Sequence, residues 1–120
     1  GDYGGTWFLT QLVGPAKARE IYFTADRVDA ATCLELGIFN RVVPAEQLAE
    51  EAFGLAARIA AGPPIATRWM KANLNRALEA DLETCLRYEA DRMVRGALTD
   101  DYVEAVAAFA EKRKPEFEGR

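Results

Sequence analysis

The 120-residue sequence contains no histidine and no serine. Ser/His triads, Cys/His dyads and His-based zinc sites therefore cannot be built from its residues. Carboxylates, lysine, tyrosine, threonine and two thiols remain for chemistry. Cys33 in "DAATCLELG" and Cys85 in "DLETCLRYEA" lie far apart and each sits beside leucine in a helical pattern. Two distant cysteines make no disulfide framework, and no cation is placed to lower a thiol pKa, so both read as packed thiols. Long apolar runs are missing as well. Arg58, Arg68, Lys71 and Arg87 interrupt every candidate, short of the roughly 18 residues a membrane helix needs. No basic-then-apolar leader is present, so the expected compartment is cytoplasmic and reducing. With 15 Lys+Arg against 19 Asp+Glu, net −4, and no basic run, a nucleic-acid partner is not expected. No metal site is expected either.

What is present is apolar and periodic. Half of the residues are hydrophobic, enough for a compact core in a chain of this length. "GGTWFLTQLV" predicts a short helix. Gly14 and Pro15 then punctuate the chain, with proline placed at a first helical position, where its missing N–H is harmless. Asp29 predicts a cap for "AATCLEL", which Gly37 ends. "IFNRVV" is β-like and closed by Pro44, so at most one short strand is expected near 38–43. From there the pattern is helical. Leu48, Ala52, Leu55 and Ile59 recur up to Gly62 and the Pro63-Pro64 pair, and Ala66, Met70, Asn73 and Ala77 share the next face. Asp81 caps a helix carrying Leu82, Leu86, Ala90, Met93 and Ala97, and Thr99 or Asp100 caps one carrying Tyr102, Val106 and Phe109. These apolar positions are the expected core. The class is mainly α. A lone strand is not stable by itself, and the chain enters at once a turn that looks interior to a domain. Both features are expected of the end of something larger.

The succession "GGTWFLTQLVGPAKAREIYFTADRVDAATCLELGIFNRVVP", then "PPIATRWMKANLN", then "AFAEKRKPEFEG" resembles the C-terminal half of the crotonase superfamily, the enoyl-CoA hydratase/isomerase family. The resemblance covers essentially all 120 residues. It implies the C-terminal helical, trimerisation portion of an α/β spiral fold. Residues 1–44 would end the spiral core, and 45–120 would form a helical oligomerisation region. It also implies an acyl-CoA substrate with no cofactor beyond the CoA it carries, and a homo-oligomer, trimer or hexamer. In such enzymes a thioester enolate is held by an oxyanion hole of backbone N–H groups. That hole, and the two glutamates of a hydratase, belong to the half that precedes the Gly-Gly-Thr turn. The 120 residues alone would then be a non-catalytic helical oligomerisation domain.

The resemblance points to two candidate sites. Asp2 stands where typical hydratases carry a small residue. The run Asp2, Gly4, Gly5, Thr6, Trp7 is instead similar to ring-epoxyphenylacetyl-CoA isomerases, and dienoyl-CoA isomerases and 4-chlorobenzoyl-CoA dehalogenases also carry an aspartate there as base or nucleophile. One carboxylate suffices to move a proton between two carbons; Tyr3, Trp7 and Phe8 would supply apolar surroundings, and Tyr3 and Trp7 substrate contacts. The plainer reading is an N-cap for the helix that begins near Gly5. In the tail, Lys112, Arg113 and Lys114 suit a helix C-terminus. The resemblance adds a second role, in which Phe109 and Lys112 meet the adenosine and phosphate of CoA, often on a neighbouring subunit. Arg68, Lys71 and Arg76 read as an exposed helix face.

Overall fold

The computed structural model describes all 120 residues, which form six α-helices in two compact units, Gly1–Ala49 and Glu50–Arg120. In the first unit, α1 (Gly5–Thr24) is two helical pieces on either side of Gly14, whose φ of 76° and ψ of 164° only glycine adopts readily. Pro15 opens the second piece, as its fixed φ and missing N–H favour. The hydroxyl of Tyr22 packs against the start of α1, where a methyl group added at Gly5 would lie 2.7 Å from it. Asp29 caps α2 (Ala30–Glu35), its Oδ1 accepting the Thr32 N–H at 2.8 Å. These bonds hold the Asp29 carboxyl below its ordinary pKa. Gly37, at φ 73°, reverses the chain, and the Ile38 and Phe39 N–H groups both reach the Cys33 carbonyl.

No strand forms at 38–43. Its first two N–H groups close the end of α2, and the remainder has no regular structure up to the single 3-10 turn Ala45–Gln47. The β-forming residues are there, but a strand is a property of a pair, and no second strand is present to make the ladder.

The division between the units falls in the first turn of α3 (Leu48–Ala60). In the second unit, α4 (Pro64–Ala77) packs against α5 (Leu82–Gly96). The Arg76 guanidinium lies 3.9 Å from the centre of the Tyr88 ring, and that of Arg92 lies 5.4 Å from the Trp69 ring. The pairs 76–88 and 69–92 run in opposite senses, so the helices are antiparallel, as their short connection requires. Asp81 caps α5 through the Thr84 N–H at 2.7 Å. Thr99, rather than Asp100, caps α6 (Asp100–Glu111), accepting the Tyr102 N–H at 3.2 Å.

The expected core is largely on the surface. Only Ala18, Cys33 and Ala108 are buried apolar residues, whereas Leu82, Leu86, Met93, Tyr102, Val106 and Phe109 are exposed. The stripes have helical period as read. A stripe becomes core only when another apolar layer covers it.

The tail is ordered by two carboxylates of α6, which take one of its cations and its backbone N–H groups. Asp101, 5% exposed, accepts the Glu118 N–H at 2.8 Å and the Gly119 N–H at 3.1 Å, and its own N–H donates to the Arg120 carbonyl. Glu104 takes Arg113 in a two-pronged ion pair and also accepts the Glu116 N–H at 2.9 Å. The Arg113 guanidinium and the Glu116 N–H together hold the Glu104 carboxyl down from an ordinary 4.5 to about 2. A depressed carboxyl stabilises the folded tail fully above about 4.5, and the contribution is lost as pH falls through about 2. An NMR titration of the Glu104 carboxyl carbon is therefore expected to show a midpoint near 2. An ordinary midpoint would mean that the clamp is not formed in solution.

Candidate functional site

The N-terminal candidate is built on a turn. The Asp2 carbonyl accepts the Gly5 N–H at 2.9 Å, and the two residues between, Tyr3 at φ 51° and Gly4 at φ 80°, both have positive φ. That is the signature of a type I′ turn, for which glycine at the second central position is natural and tyrosine at the first is not. Gly4 is the N-cap of α1, and no side chain caps that helix end. The cap reading of Asp2 is thus replaced. Its backbone serves the turn, and its carboxylate is exposed and engaged by no helix N–H.

The aromatics do not enclose that carboxylate within this chain. Tyr3 is 97% exposed, and Trp7, 41% exposed, stands edge to face with Phe8 at 5.0 Å between centroids. The apolar surroundings expected for Asp2 would need further surface.

The C-terminal candidate lies at the end of α6. Phe109 is 87% exposed, and Lys112 is the C-cap, at φ 55° and ψ 37°. The Lys112 N–H reaches the Phe109 carbonyl, and the Arg113 N–H reaches that of Ala108 at 3.0 Å. This is the glycine position of a Schellman-type end, and a side chain there costs roughly 1–2 kcal/mol of backbone strain. Of the three cations in "EKRKP", Arg113 is taken by Glu104 and Glu111, while Lys112 and Lys114 are exposed. The helix-end reading of the tail cations gives way, for Arg113, to a specific ion-pair clamp. Arg68, Lys71 and Arg76 are exposed as read, with Arg76 lying on Tyr88.

Asp2, Tyr3 and Trp7 belong to the first unit, and Phe109 and Lys112 to the second. The non-glycine residues at positive φ in the chain are Tyr3, Ala25 and Lys112, so two candidate residues stand among three strained positions. Sequence reading missed Asp101 and Glu104. Their only signal is two acids three residues apart on one helix turn, ahead of an arginine and a Pro-x-Phe-x-Gly tail. The second unit also holds an apolar cavity of about 380 Å³, lined by Trp69, Met70, Met93 and Phe117 among others. Asp101 lines it too, whereas Asp2, Tyr3, Trp7, Phe109 and Lys112 do not. No helix is long and apolar enough to cross a membrane.

The profile of the family described as "Enoyl-CoA hydratase/isomerase" matches residues 1–120, the whole chain. A short-chain-enoyl-CoA hydratase of Clostridium acetobutylicum is 35% identical over 114 residues, covering 95% of this chain and 44% of the relative. A crotonyl-CoA hydratase of Syntrophomonas wolfei is 36% identical over 115 residues, covering 96% and 44%. Among solved structures, an enoyl-CoA hydratase from Bacillus anthracis superposes with a TM-score of 0.93 at 36% identity, covering 98% of this chain and 45% of that one. The chain spans less than half the length of the curated relatives it matches. From the profile match across every residue, the chain belongs to the enoyl-CoA hydratase/isomerase family, the crotonase superfamily.

Proposed function

We propose that these 120 residues are the C-terminal part of an acyl-CoA enzyme that acts on an unsaturated acyl thioester through an enolate. The family match over residues 1–120 carries this reading. The oxyanion hole and, for a hydratase, the two acids lie outside these residues. Asp2 is the base or nucleophile that this chain contributes, which favours an isomerase-type member. Tyr3 and Trp7 line the acyl or pantetheine side, and Phe109 and Lys112 meet the adenosine and phosphates of CoA. Residues 1–44 end the spiral core and 45–120 associate subunits into a trimer or hexamer in the cytoplasm.

The exposed carboxylate at a turn that its backbone alone sustains supports the role of Asp2. The apolar residues left exposed on α5 and α6 support subunit association, since contiguous apolar patches above a few hundred Å² usually find partners. They equally favour a second description of the chain taken by itself, a non-catalytic helical association domain. Following the conjugated thioester absorbance separates the two, with crotonyl-CoA added to detect its loss by hydration and a β,γ-unsaturated acyl-CoA added to detect its gain by isomerisation. The enzyme carrying this chain is expected to turn over acyl-CoA, and the 120 residues alone are not.

Lys112 gives a sharper test, because its two roles respond differently to glycine. Lys112→Ala and Lys112→Gly should each weaken CoA affinity by about tenfold, the worth of one charge-assisted contact. Glycine should also relieve the strained φ and be more stable than alanine by about 1 kcal/mol. Calorimetric titration with CoA and urea unfolding of the same samples check both. Unchanged affinity in both variants would remove Lys112 from the site.

A further inference from the structure

We infer that Asp101 and Glu104 are positioning residues for Lys112, binding the C-terminal strap back along α6 so that the backbone turn at Lys112 is fixed and presents its side chain to an anionic group. The inference rests on the reading of Lys112 as a contact for the CoA phosphates. The two carboxylates stand one turn apart on α6 and take the strap at successive points. Glu104 grips Arg113 and the Glu116 N–H, and Asp101 grips the Glu118 and Gly119 N–H groups. The Asp101 N–H returns a bond to the Arg120 carbonyl. Five of the eight residues after Lys112 are therefore tied to α6, by side chain or backbone. The strap also passes against α4, where a methyl group added at Gly119 would lie 2.9 Å from Pro64 Cγ.

Lys112 is the turn from which this strap departs. Its backbone is in the left-handed region at φ 55°, which lysine adopts only where the surroundings enforce it. The surroundings here are the two backbone bonds that close the helix end and the clamp on the very next residue, since Arg113 is held by Glu104 and by Glu111 at 2.6 Å. The same clamp sorts the charges. Arg113 is consumed by carboxylates on both sides, whereas Lys112 is exposed and pairs with neither. Release of the strap would let Lys112 relax to a right-handed backbone and swing its side chain away. Held in place, the backbone at Lys112 has no freedom left to lose when an anion arrives, so only the side-chain rotamers remain to be fixed, and preorganisation of that kind raises affinity.

The test uses the full-length enzyme that carries this chain, assayed with an acyl-CoA and with the pantetheine thioester of the same acyl group, which lacks the adenosine and its phosphates. Glu104→Gln and Asp101→Asn are expected to raise KM for the acyl-CoA about five- to tenfold while kcat stays within about twofold, and to leave the shorter thioester unaffected. Hydrogen exchange at residues 116–119 should quicken in the same variants. Lys112→Ala should give a similar KM rise, and adding Glu104→Gln to it should change nothing more, as expected of residues acting in series. If Glu104→Gln does not fold, Arg113→Lys keeps the charge but cannot span both carboxylate oxygens, and it serves the same comparison. A KM rise in Lys112→Ala with none in Glu104→Gln, despite a loosened strap, overturns the inference and leaves the CoA contact standing. No KM rise in Lys112→Ala overturns both. An equal loss of kcat on the two substrates would mark the clamp as merely structural and also overturn the inference.

Discussion

Replacement of Asp2 by asparagine is expected to lower kcat of the full-length enzyme by about 10² to 10⁴-fold, the usual contribution of a positioned general base. The substitution is close to silent for the fold, and the turn explains why. Asp2 serves that turn through its carbonyl, which accepts the Gly5 N–H, while Gly4 occupies the N-cap of α1 without help from any side chain. An amide in place of the exposed carboxylate removes no bond within the chain, so stability should change by less than about 0.5 kcal/mol. The loss should appear in kcat and in exchange of the substrate α-proton with solvent, not in the Kd for CoA. An Asp2→Asn enzyme that isomerises its thioester at the wild-type rate would sink the assignment. Asp2→Glu provides a graded control, because it keeps the carboxylate but displaces it by about 1 Å, a misplacement that can cost about 10²-fold.

The largest effect on stability is expected from Asp101→Ala, about 2–3 kcal/mol in urea unfolding. Asp101 is 5% exposed and is the acceptor for two backbone N–H groups of the strap. Hydrogen bonds to a charged group contribute about 1.5–3 kcal/mol each when buried, and N–H groups left without an acceptor add a desolvation cost. Glu118 is exposed and Gly119 only half-buried, so water recovers part of the loss and the sum falls below twice that value. Asp101→Asn retains one acceptor oxygen and should lose about half as much. By contrast, the Arg120–Asp100 pair, 3.6 Å apart between groups 70% and 76% exposed, should contribute less than about 1 kcal/mol, as exposed ion pairs do. An Asp101→Ala chain as stable as wild type would mean that the strap is not seated on α6 in solution.

Local signals were legible residue by residue. Asp29, Asp81 and Thr99 cap the helices they precede, Gly14-Pro15 breaks α1, and Gly37 ends α2. Each depends on a side chain and a backbone within four positions of one another, and chain connectivity guarantees that meeting. The stretch at 38–43 shows the limit. Its residue types favour a strand, yet strand formation is decided by a neighbour that sequence spacing does not supply. The same holds for the apolar stripes. Leu82, Leu86 and Met93 announce one face of α5, and nothing in their spacing says whether that face is covered.

The candidate sites divide along the same line. Asp2, Tyr3, Trp7, Phe109 and Lys112 were reached through motif and resemblance. Their backbone states were not, because a positive φ at tyrosine or lysine contradicts the preference of the residue and is imposed by surrounding contacts. Asp101 and Glu104 were unreadable as tail anchors, since their partners lie 9 to 18 residues away across a chain reversal.

By itself, then, the sequence determined the helical class, the capped starts of α2, α5 and α6, the chemistry excluded by the missing histidine and serine, and the family. These come from short-range interactions and from residue inventory. Only the tertiary structure decided that Asp2 does not cap α1, that 38–43 is no strand, that most apolar stripes lie open, and that the basic tail is a strap on Asp101 and Glu104. Each of those depends on groups brought together by the fold, and such meetings are set by the free energy of the whole packed chain rather than by any local run of residues.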